Sequence, residues 1–197
     1  MNVVLYGDSN TYGYNPNNER YVNRYGNVLK ELLGSDYIVH EEGLVGRTTI
    51  YDDYRKNRKA LDSVYLDLKK YERIDLLIIM LGTNDFKKNN AKNAISLASA
   101  MNKLIDKIES FKITDKILLI SPILLDENIE NLDSEYDYNS YLLSKDASLI
   151  YKNISIQNDL LFFDAKEVAN PGIDGEHLTE EGHKALGEAL AKLIKEI

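Results

Sequence analysis

Leu76-Leu77-Ile78-Ile79-Met80-Leu81, followed at once by Gly82-Thr83-Asn84-Asp85, is the stretch on which the fold turns. Six apolar residues in a row are far short of the about 20 that a membrane-spanning helix requires, so the run reads as a buried strand ending in a polar, glycine-bearing turn. Working outward, apolar runs of strand length recur at residues 3–6, 37–39, 117–120 and 160–163. Longer segments with helical spacing lie between and after them, at 21–33, 57–71, 91–111, 138–154 and 179–197. The last places Leu186, Leu190, Leu193, Ile194 and Ile197 on one stripe behind a capping Thr179 and the acids Glu180 and Glu181. Strand alternating with helix implies βαβ crossovers. The pattern therefore predicts an α/β chain with three α/β/α layers and a five-stranded, mostly parallel sheet, flavodoxin-like in outline.

Composition narrows what such a chain does. The 197 residues, 44% hydrophobic and 28% charged, carry no Pro/Gly/Ser-rich linker and only three prolines, Pro16, Pro122 and Pro171, so a single domain over 1–197 is expected. Disorder, collagen and coiled coil are excluded by the same numbers. Lys and Arg total 24 against 32 Asp and Glu, a net charge of -8, which repels nucleic acid and anionic membranes. There is no cysteine, hence no disulfide scaffold, thiol nucleophile or iron–sulfur cluster. Three histidines, His40, His177 and His183, are too few for a His-rich metal site, and no metal or cofactor is expected. The first residues carry neither a basic stretch nor an apolar segment of signal-peptide length, which points to the cytoplasm.

In parallel sheets, ligands sit beyond the carboxyl ends of the strands. Gly7-Asp8-Ser9-Asn10-Thr11-Tyr12-Gly13 follows the first strand, and Glu41-Glu42-Gly43-Leu44-Val45-Gly46-Arg47-Thr48-Thr49 the second. Gly82-Thr83-Asn84-Asp85 follows the third, and Asp174-Gly175-Glu176-His177 precedes the last helix. Acyl transfer needs a hydroxyl nucleophile, an imidazole base, a carboxylate to orient it and donors for the oxyanion. This rim offers them all: Ser9 at a tight strand-to-helix turn, His177 as base and Asp174 three residues before it. The oxyanion donors would be the backbone N–H groups of Ser9 and Gly46 and the Asn84 amide. A non-catalytic nucleotide- or phosphate-binding module at the same rim is the reading from another class, but neither G-x-G-x-x-G nor G-x-x-x-x-G-K-[ST] occurs.

The four blocks Gly7-Asp8-Ser9, Gly46, Gly82-Thr83-Asn84-Asp85 and Asp174-Gly175-Glu176-His177 resemble, in order and in strand position, those of the SGNH (GDSL) hydrolases. The stretches around Glu41–Gly43 with Arg47-Thr48-Thr49, and 75–85, are similar to the arylesterase branch, some members of which also transfer acyl groups to alcohols or peroxide. The resemblance implies a serine esterase acting on small, short-chain acyl esters through Ser9, His177 and Asp174, with an oxyanion hole of Ser9, Gly46 and Asn84. Carbohydrate acetylesterase or acyltransferase activity on the same triad is the alternative.

Departures from the pattern mark candidate substrate contacts. Asn10 stands where the motif has leucine, Tyr12 where tryptophan is common, and Glu176 makes the triad loop acidic where a greasy leaving group would want an apolar residue. Asp8 is expected to brace the turn through backbone N–H groups. Arg47 and Asp85 are expected to stiffen the rim, as a pair or facing water. His183, inside the last helix, reads as a helix-surface or supporting histidine. The acidic segment 126–137 reads as a solvated loop, with a lid or subunit contact as the other reading; its Ile129 and Leu132 are the apolar residues on which a homo-oligomer could be built.

Overall fold

The computed structural model describes residues 1–17 and 19–197. The central strands are β1 (Asn2–Gly7) and β5 (Leu76–Met80), whose apolar run packs on both faces. Alternation along them divides the core into two layers. Leu76 and Ile78 join Val3 and Leu5 against Tyr25, Leu29 and Leu33 of α2 (Tyr25–Leu33) and Leu186 and Leu190 of α7 (Glu180–Glu196). Leu77 and Ile79 join Val4 and Tyr6 on the opposite face, against α3 (Ala60–Leu68), α4 (Ala94–Ser110) and α6 (Tyr138–Gln157).

β1 pairs in parallel with β4 (Ile38–Gly43) on one side and with β5 on the other, Leu5 lying opposite Glu41 and Ile78. β6 (Ile117–Ser121) and β7 (Leu161–Asp164) complete the sheet in the order β4-β1-β5-β6-β7. All the pairings in this sheet are parallel. The order reverses at β1 and β5, which opens a crevice between their carboxyl ends. Ser9 and Asn84 both follow those ends.

The helical segments shorten or extend where caps dictate. The one expected over 21–33 starts at Tyr25, because residues 19–20 form β3 (Glu19–Arg20), paired antiparallel with β2 (Tyr14–Asn15). Side-chain boxes fix the starts of α4 (Asn93 with Ser96) and α6 (Asp137 with Ser140). α6 runs on to Gln157. The acidic segment is mostly exposed or half-buried, but it is not loop throughout. It contains the short helix α5 (Ile129–Leu132), and Ile129 and Tyr136 are buried in the core, so Ile129 is no surface contact while Leu132 stays exposed. Among the described residues, no helix is long and apolar enough to cross a membrane.

Candidate active site

The turn carrying Ser9 is built from backbone. Short α1 (Ser9–Tyr12) starts directly after β1, with Asp8 as its N-cap accepting the Asn10 N–H at 2.9 Å and Gly13, at φ +84°, closing it. Close approach demands glycine nearby. A Cβ on Gly7 would lie 1.9 Å from Thr11 Oγ1 and 2.5 Å from the Met80 carbonyl, and one on Gly43 would lie 2.2 Å from the Tyr12 nitrogen. The Asp8 side chain thus ties the backbone of the turn. Its second oxygen is buried and has no hydrogen-bond partner among the described residues, and burial pushes its pKa up to about 7.

His177 comes from a loop without regular structure. A β-bridge joins Pro171 and Leu178, Gly172 N–H donates to the His177 carbonyl at 2.7 Å, and Asp174 Oδ1 accepts the backbone N–H groups of Glu176 and His177. The other Asp174 oxygen lies 2.8 Å from His177 Nδ1, and His177 Nε2 lies 2.9 Å from Ser9 Oγ. The structure thus brings Ser9, His177 and Asp174 into one hydrogen-bonded chain. Burial works to lower the imidazole pKa, but the Asp174 hydrogen bond and the charges of Glu176, Asp174 and Asp8 outweigh it and hold His177 above the ordinary histidine value. For Asp174, bonding to His177 overcomes the opposite pull of burial and the carboxyl lies below its ordinary value.

Gly46 and Asn84 line one cavity with Ser9 and His177. Gly46 has φ +77°, a conformation that favours glycine, and the Arg55 guanidinium packs against its Cα. The Asn84 amide points its nitrogen toward the Arg47 carbonyl at 3.2 Å, while its own backbone carbonyl accepts from Asn90 at 2.8 Å. The cavity encloses about 290 Å³. Among the described residues, its walls carry Asp133, Glu135, Asp174 and Glu176 alongside Arg55, Lys87 and the His177 imidazole. Asp53 holds Arg55 through a two-pronged contact of 2.7 and 2.9 Å, and Glu135 holds Lys87 at 2.6 Å. Among the described residues, no group of three or more acidic, histidine or cysteine side chains is arranged to hold a metal ion.

Several expected roles change. Asn10 is buried and does not line the cavity; its amide bonds to the Glu176 carbonyl at 3.1 Å and the Leu178 N–H at 2.8 Å instead. Tyr12 also stays off the cavity wall, its ring lying under Arg20. Glu176 does reach the cavity, but accepts the Tyr136 hydroxyl at 2.6 Å, and burial raises its pKa. Arg47 and Asp85 are both buried and do not pair. Arg47 donates to the Gly7 carbonyl at 2.7 Å and meets Asp67 at 3.1 Å, while Asp85 accepts the Thr49 N–H at 2.9 Å and is pushed by burial up to about 6. His183 is no surface residue: it is fully buried, within 3.4 Å of the Tyr25 N–H, and burial lowers its pKa to about 3.

Sequence reasoning missed Tyr14, Arg55 and Lys87. Tyr14 packs its ring on His177, centroids 4.6 Å apart, and its signal was Gly13, which turns the chain back toward the site. Lys87 sits two residues beyond Asp85 on a strand-end turn, a position that could have been read as rim. Arg55 had no signal.

The sequence model of the GDSL-like lipase/acylhydrolase family matches residues 5–185. Comparison with curated proteins gives no match. Among solved structures, the chain is similar to the M. smegmatis aryl esterase, at 28% identity and a TM-score of 0.87, over 100% of this chain and 99% of that one. It is similar to a Sinorhizobium meliloti carbohydrate acetylesterase, at 29% identity and TM-score 0.89, over 100% and 99%. A carbohydrate acetylesterase family member from the same organism aligns at 30% identity and TM-score 0.90, over 100% and 98%.

Proposed function

The chain belongs to the GDSL-like lipase/acylhydrolase family and is accordingly a carboxylic ester hydrolase, and from that premise we propose that it is a serine esterase of small, short-chain acyl esters. The observation that carries this reading is the chain of contacts from Ser9 Oγ through His177 to Asp174, 2.9 and 2.8 Å long, opening into a polar cavity. Ser9 Oγ attacks the ester carbonyl as His177 Nε2 takes its proton. The carbonyl oxygen becomes an oxyanion held by the Ser9 and Gly46 N–H groups and Asn84 Nδ2. When the tetrahedral adduct collapses, the bond to the alkoxy oxygen breaks and His177 returns the proton to the departing alcohol. Water, deprotonated by His177, then attacks the acyl-Ser9 carbonyl, releasing the acid and restoring the serine. Asp174 keeps Nε2 turned toward Ser9 and stabilises the imidazolium.

A cavity of about 290 Å³ suits a small acyl group rather than a lipid chain. Four carboxyl groups against two cations on its walls oppose a phosphate or nucleotide. The same polar walls favour, as a second reading, a polyhydroxy leaving group such as an acetylated sugar. The test is hydrolysis of p-nitrophenyl acetate and longer p-nitrophenyl esters by the wild type and Ser9→Ala, with mass spectrometry after a phosphonate inhibitor. Turnover that falls with acyl length and a label on Ser9 are expected; a Ser9→Ala protein that keeps most of the activity overturns the assignment. Acetylated xylosides tested in parallel decide the leaving group.

A further inference from the structure

We propose that Asn10 is a positioning residue that fixes the distance between Ser9 and His177; this rests on the reading of those two residues given above. Asn10 follows Ser9 directly and shares its helical turn, yet its side chain engages neither substrate space nor its own turn. Its Nδ2 donates to the Glu176 carbonyl at 3.1 Å and its Oδ1 accepts the Leu178 N–H at 2.8 Å. These are the backbone groups on the two sides of His177. One amide therefore grips the base from before and after, across 168 residues of sequence.

The chemistry of the grip is specific. Of side chains this short, only an amide offers a donor and an acceptor side by side; an ionised aspartate only accepts, and leucine does neither. The two backbone groups also fix which way the amide faces, because a carbonyl requires the nitrogen and an N–H requires the oxygen. At its other end Asn10 is anchored too, since its backbone N–H is held by Asp8 Oδ1 at 2.9 Å. Any displacement of the 176–178 backbone is thus resisted by the residue bonded to the nucleophile. Proton transfer from Ser9 requires His177 within hydrogen-bond reach. Without the amide, the imidazole keeps Asp174, a contact internal to its own loop, and the Tyr14 ring packed on it, while among the described residues the only other hydrogen bond between that loop and the turn of Ser9 is the one between His177 and Ser9 themselves.

The experiment compares kcat/KM for p-nitrophenyl acetate and ethyl acetate in the wild type, Asn10→Leu and Asn10→Ala, each corrected for the fraction of Ser9 that a phosphonate labels, and in Ser9→Ala at the same total protein concentration. The nitrophenolate departs without a proton, whereas ethanol must receive one from His177, so a misplaced imidazole harms the second substrate more. Expected losses for both Asn10 variants are about 10-fold with p-nitrophenyl acetate and about 100-fold with ethyl acetate. A defect of folding alone lowers both substrates equally. An unchanged ratio between the two, at full or at uniformly reduced activity, overturns the proposal. If Asn10→Leu yields no folded protein, Asn10→Ala, which adds no apolar bulk, gives the deciding ratio. Ser9→Ala retaining activity overturns instead the assignment of the nucleophile, a result distinct from wild-type behaviour in the Asn10 variants.

Discussion

The turn that carries Ser9 and the loop that carries His177 meet at 2.9 Å but are held in place by different means. The turn is fixed by backbone: the Tyr12 N–H bonds to the Asp8 carbonyl, the Gly13 N–H to the Ser9 carbonyl, and Gly7 and Gly43 let neighbouring chain approach where no Cβ fits. The loop has backbone bonds of its own, Gly172 N–H to the His177 carbonyl and Asp126 N–H to that of Gly175, but the groups that face the turn are set by side chains, Asp174 from within and Asn10 from across the crevice. A site assembled this way answers to shape on one side and to hydrogen-bonding chemistry on the other.

Substitutions can break or sharpen that contrast. The largest effect falls on the reacting groups: Ser9→Ala should lower kcat by about 10⁵–10⁶-fold, and Asp174→Asn, which keeps the loop's size but favours the wrong imidazole tautomer, by about 10³–10⁴-fold. Near-normal turnover in Asp174→Asn breaks the idea that side-chain chemistry holds the loop. Asn84→Ala removes an oxyanion donor and should cost about 10²–10³-fold in kcat with KM little changed. On the turn side, Gly43→Ala pushes a methyl into the Tyr12 backbone, and chemical denaturation should show about 1–3 kcal/mol of lost stability. Wild-type stability in that variant would show that the turn is looser than its contacts imply.

Two pH experiments carry smaller effects. The folded-state pKa of His183 lies below its unfolded value, so the unfolded chain binds the proton more readily; stability is fully present above about 6.5 and falls as pH drops toward 3, by up to about 1.4 kcal/mol per pH unit. Asp8 and Asp85, raised by burial, respond in the opposite sense over an overlapping range, so the informative quantity is the difference from His183→Gln, whose thermal midpoint should fall less steeply on acidification. For activity, His177 must be neutral to accept a proton. Because its pKa is raised, kcat/KM should climb with pH through a midpoint above the ordinary about 6.5. Glu176→Gln removes one of the charges responsible and should move that midpoint down.

Much of this arrangement is legible in the amino-acid sequence. Apolar runs announce β1, β5, β6 and β7 because a strand covered on both faces must be apolar throughout. The blocks around Ser9, Gly46, Asn84 and His177 are legible because each follows a strand or precedes a helix whose position the apolar pattern reveals. The hairpin of β2 and β3 is not, for its strands are two residues long and present no apolar face. Asn10 and Arg47 escape a correct reading for one reason: a polar side chain near a site looks like a ligand contact or a rim brace until its long-range backbone partners are known. Arg47 reaches the Gly7 carbonyl 40 positions away, and no local pattern records that. The burial of His183 is hidden because helical spacing gives the face but not what covers it; α2 covers it through Tyr25.

The separation of Ser9 from His177 along the chain has a consequence for the order in which the protein comes into being. A polypeptide is made from its amino end, so Ser9 emerges well ahead of His177. The strand that leads into Ser9, β1, is also the one flanked by β4 and β5, so the early half can begin to collapse around it before His177 is made. His177 arrives only when the segment leading into α7 settles against α2, a contact between residues far apart in sequence and therefore slow to form. On the proposed mechanism, nascent and truncated chains that lack His177 would be chemically silent, and ester cleavage would begin only as the carboxyl-terminal helix docks.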